Sequence, residues 1–205
     1  FSNAADFGNE QDVGGVGMLV GSILISAWGG PKNQVPAVIG FIALAGVGLL
    51  IVGLRPSIIF ASIGMFILLF AVPLGGGINR AIFQTKIAPD VQGRVFATSG
   101  MISRSMMPLA FALAGPLADQ IFEPLMAENG RLATTFIGQL IGVGPGRGIG
   151  LLFIISSVVL LVVTTIIFAI PAIRNLEQML PDIEPMAEED VVVEENEVGA
   201  VETAV

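Results

Sequence analysis

Residues 149–170 read IGLLFIISSVVLLVVTTIIFAI, twenty-two consecutive positions without a charged side chain. The hydrocarbon core of a bilayer is about 30 Å thick and takes roughly 20 helical residues to cross. This run is too long for a strand, and it is apolar all round, whereas a soluble helix keeps a polar face. A segment surrounded by lipid has no water to satisfy its N–H and C=O groups, so they must bond within the segment. That makes the run an α-helix.

Four further stretches upstream have the same character: 13–28, 35–54, 57–77 and 95–118, the last interrupted by Arg104. The sequence therefore predicts an all-α membrane protein with about five transmembrane helices. Its links fit that reading. Gly29 to Gln34 is a short polar turn, and Leu54-Arg55-Pro56-Ser57 is another, with Pro56 suited to an early helical position. Ile78 to Arg94 reads as a longer polar link, and Asp119 to Gly148 as a stretch containing an interfacial helix over 132–143, too short to cross. The expected organisation is an extracytoplasmic loop at 1–12, a transmembrane bundle at 13–175 and an acidic cytoplasmic tail at 176–205.

Composition supports the division. Of 205 residues, 54% are hydrophobic and only 13% charged, with a mean hydropathy of +0.86; soluble domains carry about 25% charged residues. The net charge of −8 conceals two unlike parts. From Glu177 onward there are ten acids and no base, whereas residues 1–176 hold seven acids and nine bases. The tail is Glu-rich and, from Pro181 onward, lacks aromatics, a composition that stays disordered in water. With no His, Cys or Tyr, the chain offers no disulfide, no Cys/His zinc site and no Ser-His-Asp or Cys-His group. No catalytic residues, cofactor site or metal site are expected, and nucleic acid is not an expected partner. The chain starts at Phe1 without a basic segment before its first apolar run, so no signal peptide is read there and a fragment is expected.

Basic residues suggest an orientation. Lys32, Arg80, Lys86, Arg94 and Arg174 fall on one side of a five-span arrangement, and Arg55, Arg131 and Arg147 on the other. The larger group marks the cytoplasm and puts the C-terminus inside, in the cell (inner or plasma) membrane. Within the spans, Gly14, Gly17 and Gly21 place small residues at helical spacing for close helix packing. Arg104 is either a cavity or gating residue inside the membrane or a snorkelling residue near the interface. Asp90 and Asp119 flank the fourth span and read as interfacial ion-pair or capping groups. Asn79 and Gln84 follow Pro73 and Gly75-Gly76-Gly77, which should bend or loosen the third helix; the polar groups then either face a cavity from a broken helix or mark a simple helix end. Gly142-x-Gly144-Pro145-Gly146-Arg147-Gly148 has the glycines of a phosphate loop but neither its Lys-Ser/Thr nor a preceding strand, and is read as a turn.

The run Gln84-Thr85-Lys86-Ile87-Ala88-Pro89-Asp90-Val91-Gln92-Gly93-Arg94-Val95-Phe96 resembles the link between helices 10 and 11 of major facilitator superfamily exporters, in the macrolide-efflux-like drug:proton antiporter branch. Ala114 to Asp119, Phe122-Glu123-Pro124-Leu125, Gly144 to Phe153 and Trp28 to Lys32 are similar to other segments of that branch. The resemblance covers residues 13–175. It implies that the spans are helices 8 to 12 of a twelve-helix transporter, a partial C-terminal bundle lacking its N-terminal half, with an odd span count because the chain starts after helix 7. It further implies a secondary-active, proton-driven exporter of small amphipathic compounds (macrolide or other drug, or siderophore-like) working by alternating access. Arg104, Asn79, Gln84, Lys32, Arg80, Asp90, Arg94 and Asp119 would then belong to the transport path or its gates. The loop Trp28 to Lys32 keeps Lys32 but lacks the Asp and paired bases of the superfamily's fullest motif. The alternative from another class is a non-transporting membrane anchor or subunit whose acidic tail recruits a cytoplasmic partner.

Overall fold

The computed structural model describes residues 4–54 and 57–175, with side chains from Asp12 onward. The expected loop residues 1–3 and the acidic tail, 176–205, lie outside the described residues. No strand occurs among those described; the elements are helices throughout. They are α1 (Ala4–Trp28), α2 (Gln34–Leu54), α3 (Ile58–Lys86), α4 (Pro89–Pro116), a π-helical segment (Leu117–Phe122), α5 (Glu123–Met126), α6 (Phe136–Ile141), α7 (Arg147–Ala169) and α8 (Pro171–Arg174). Four are long and apolar enough to cross a membrane: α2, α3, the continuous helical stretch Pro89–Met126, and α7. The chain is an all-α, multi-pass membrane protein.

Several boundaries differ from the sequence reading, and each difference has a local cause. α1 starts at Ala4 rather than 13, while its apolar part, Asp12–Trp28, is shorter than the four spans. Residues 4–12 of the expected loop are thus helical, since no glycine-proline break separates them from the apolar run. α3 does not end at 77. It runs through Pro73 and three glycines to Lys86, because that stretch is packed: Ala71, Leu74, Gly75 and Ile78 are buried. The expected link 78–94 is consequently two helices joined at Ile87-Ala88. α4 starts at Pro89, which fits the first helical turn because its missing N–H has no partner to lose there, and Asp90 adds a favourable charge in that turn. The expected interfacial helix 132–143 contracts to α6, Phe136–Ile141. Turns precede it, the Thr135 hydroxyl donates to the Leu132 carbonyl at 2.6 Å, and Gly142 ends it with φ +88.

Packing is inverted relative to a soluble protein. Large apolar side chains point outward, as with Leu19, Ile23, Ile59, Met101 and Phe111, while the helix seams are made of small residues. Lipid tails are as apolar as leucine, so burying leucine gives no advantage inside a membrane; close van der Waals contact does. α3 is central, flanked by α1 and α2, and α7 packs on the other side of α2. Each of these three seams is built on glycine. On α1, a Cβ built at Gly17 would lie 2.6 Å from the Phe66 carbonyl oxygen, and one at Gly14 would lie 2.7 Å from Met65 and Leu69 side-chain atoms. Gly21 meets the Phe70 carbonyl and Pro73 in the same way. Between α2 and α3, a Cβ at Gly48 would lie 2.7 Å from the Gly64 oxygen, and one at Gly64 would lie 2.6 Å from that of Gly48. Between α2 and α7 the reciprocal pair is Gly53 and Gly150, at 2.7 and 3.1 Å.

Candidate functional site

The polar residues singled out from sequence do not converge on one centre. Asn79 is on α3 and lines a groove of about 350 Å³ with Val38, Phe41, Ala45 and Gly75, between α2 and α3. Arg104 is exposed on α4, on an open face of that helix with Phe96, Gly100, Met101 and Ser105. Lys32 is exposed in the turn between α1 and α2, Arg80 is exposed on α3, and Asp90 and Arg94 are exposed on the first turns of α4. Asp119 is exposed on the π segment. Gln84 takes part through its main chain: its carbonyl, like that of Ile87, accepts from the Gln92 side-chain amide at 2.9 Å. This amide bridges the α3–α4 turn, and Phe83 meets Phe96 edge-on beside it, at 6.0 Å between ring centroids. Gly14, Gly17 and Gly21 all face α3.

At the other end of α4 the fold builds a tighter polar constellation that sequence reasoning did not single out. Glu123, the first residue of α5, directs its carboxylate at the start of α7. One oxygen accepts from the Gly146 N–H and the other from the Gly148 N–H at 2.9 Å. A helix N-terminus exposes N–H groups without partners and carries partial positive charge, so an anion there is favoured twice over. The Arg147 guanidinium, between the two glycines in sequence, is attracted to Glu123 and donates to the Ile141 carbonyl at 2.9 Å. The Gly144 N–H donates to the Met126 carbonyl at 3.0 Å.

Glycine is required in this clasp for two reasons. Gly146 has φ +80 and Gly144 φ +119, conformations that L side chains rarely adopt. Gly148 lies so close to the Glu123 backbone and carboxylate that a Cβ would collide with both. Beneath the clasp, Met126, Ile141 and Leu151 form a buried apolar plug with Phe122, Leu132 and Ile154 around it. The Gly146 and Gly148 amides are thus occupied by a carboxylate of the same chain and the Gly142 and Gly144 amides by main-chain carbonyls, which agrees with the reading of this segment as a turn. The signal for the clasp lay in the sequence as Phe122-Glu123-Pro124-Leu125 and Gly144-Pro145-Gly146-Arg147-Gly148, but nothing in their spacing showed that the two meet.

Comparison with known proteins finds similarity to efflux proteins. Over 112 residues the chain is 34% identical to a protein of Streptococcus pyogenes named macrolide efflux protein A. A protein of the same name from Enterococcus faecalis is 34% identical over 100 residues. The matches cover 51% and 45% of this chain and 26% and 29% of those proteins, so the chain accounts for little more than a quarter of the relatives' length. No protein-family model matches the chain. No solved structure matches it either. The similarity to efflux proteins and the membrane-spanning helices together support a transporter-like role in a membrane.

Proposed function

We propose that this chain is the C-terminal portion of a secondary-active exporter of small amphipathic compounds, of the major facilitator type and driven by protons. The similarity to macrolide efflux proteins over half of the chain carries this reading, and the arrangement of the helices supports it. α1, α2, α3 and α7 form a block whose seams are closed by backbone contact, the kind of unit that alternating access moves as a body around a midplane site. α4 has none of this packing, so its polar stripe with Arg94, Thr98, Arg104 and Ser105 is left open to the remainder of the transporter or to the carried compound. Lys32, Arg80 and Arg94 would border the cytoplasmic gate, with the C-terminus in the cytoplasm of the cell that bears this membrane.

The test uses the whole reading frame, including the DNA upstream of Phe1. Cells of a macrolide-sensitive host expressing it should accumulate less radiolabelled macrolide than empty-vector cells, and an uncoupler should abolish the difference. Neutralising Arg94 or Arg104 should raise accumulation at equal membrane abundance. Equal accumulation in expressing and control cells would overturn the macrolide assignment, and uncoupler-resistant export would overturn proton coupling. Full export by both arginine variants would remove those residues from the path.

A further inference from the structure

The pairing of the helices fixes which connections share an end of the bundle. Gly48 meets Gly64 while Gly75 meets Phe41, so α2 and α3 run antiparallel. Gly53 meets Gly150 while Gly46 meets Leu161, so α2 and α7 do too. α1 runs alongside α3 in the same direction, with Gly14 against Met65 and Ile25 against Gly77. The turn before α2, the close of α3, the opening of α4 and the close of α7 therefore lie at one end. Lys32, Arg80, Lys86, Arg94 and Arg174 all belong to it. Asp90 is the one acid there among the described residues; Asp12, Asp119, Glu123 and Glu128 lie toward the other end.

This separation of charge follows from chain direction and not from exposure, so it holds whatever else packs against the bundle. Arg174, whose guanidinium lies 5.8 Å from the centre of the Phe168 ring, is the last base of the chain. Three residues past it comes Glu177, the first of ten acids with no base among them. Residues 177–205, outside the described ones, thus leave the bundle at its positive end. At about 3.3 Å per extended residue their reach is on the order of 100 Å, several times the roughly 10–12 Å diameter of a helix. A tethered segment also faces its site at an effective concentration of about millimolar, an advantage that a free acidic protein lacks.

We propose that residues 177–205 lie back over the basic end of the bundle, with their carboxylates against Lys32, Arg80, Lys86 and Arg94. Each such pair is weak in water, so the contact comes from many acids held near a few fixed bases and is sensitive to salt. The tail competes there with the anionic lipid headgroups that bases beside a membrane attract. The inference concerns this chain's own residues and stands whatever compound is carried and whichever face of the membrane is cytoplasmic.

A zero-length carbodiimide joins a carboxylate to an amine only where the two touch, and Lys32 and Lys86 are the only lysines of this chain. The product of the whole reading frame, including the DNA upstream of Phe1, is treated in phosphatidylcholine nanodiscs and mapped by mass spectrometry. Trypsin cuts after Arg174 and meets no Lys or Arg beyond it, so the tail travels as one peptide. That peptide should be found joined to Lys32 or Lys86. The yield should fall several-fold between about 0.05 and 1 M salt, as the Debye length shrinks to about 3 Å. Arg80→Gln with Arg94→Gln, which removes charge but no reactive amine, should also lower it several-fold. Should that double variant fail to fold, the salt series on the unaltered protein decides alone. Absence of a tail link at low salt, a yield indifferent to salt, or links to Lys32 and Lys86 only from acids outside the tail would overturn the proposal. Loss of the link in discs containing phosphatidylglycerol would overturn it too, by showing that lipid headgroups hold the basic end. In a mixture of light and heavy-isotope protein, links joining the two kinds would place the tail on a neighbouring copy and overturn the contact within one chain.

Discussion

The Ser157 hydroxyl donates a 2.7 Å hydrogen bond to the main-chain carbonyl of Gly46, joining α7 to α2 across 111 positions of sequence in a fully buried seam. The absence of a side chain at Gly46 lets α7 come near enough, and the bond gives the seam a direction. Interhelical bonds of this kind contribute about 0.6 kcal/mol, with values up to ~1.7 kcal/mol. Ser157→Ala should lower stability by that order, measured as reversible unfolding in detergent micelles. Val159→Ala, on the exposed side of the same helix, serves as the control and should do less.

Glycines in one helix should differ sharply in what they tolerate. Gly48→Ala places its Cβ against the Gly64 oxygen and the Leu68 backbone, neither of which can swing aside. Overpacking of this sort costs about 1–3 kcal/mol. Gly40→Ala, on the same helix, meets nothing within 4 Å and should be neutral or slightly stabilising. Thermal unfolding of the two variants side by side would show the contrast; equal melting temperatures would disprove the seam.

Removing the Glu123 carboxylate should be felt at two particular amides. In Glu123→Ala, hydrogen–deuterium exchange at Gly146 and Gly148 should accelerate, while exchange in the middle of α2 and α3 stays slow. Leaving such donors without a partner costs about 1–3 kcal/mol. Gly146→Ala should reach a similar loss by a separate route, since a left-handed conformation costs an ordinary residue roughly 1–2 kcal/mol.

Orientation can be read from single cysteines. Asn33 lies in one of the connections with more bases, Asp90 on the first turn of α4 beside another, and Glu128 in an opposite connection. A membrane-impermeant maleimide should label Asn33→Cys and Asp90→Cys in inside-out vesicles, and Glu128→Cys in right-side-out ones. The reverse pattern would place the C-terminus outside.

Helix class and the core of each long helix were legible because lipid solvation writes them as charge-free runs, 149–170 above all. Helix ends were less so. Pro73 and Gly75 to Gly77 looked like a break, yet tertiary burial of Leu74 and Ile78 carries α3 on to Lys86. Gly48 and Gly64, or Gly53 and Gly150, could not be paired from sequence. A glycine seam depends on which helices are neighbours, and nothing in local composition encodes that. Glu123 was overlooked for a related reason. As a lone acid before a proline it resembles a loop residue until the fold brings the start of α7, more than twenty positions later, up to its carboxylate.

The seams also bear on how such a sequence can change over generations. Every single-base change that replaces a glycine codon adds atoms, so Gly48, Gly64, Gly53 and Gly150 have no smaller or equal-sized substitute to drift toward. The outward Ile, Val and Leu residues interconvert by one-base steps that leave their affinity for lipid almost untouched. Divergence should accumulate on the lipid-facing surface and stop at the seams, so two descendants could differ over most of their outer faces and still superimpose helix on helix.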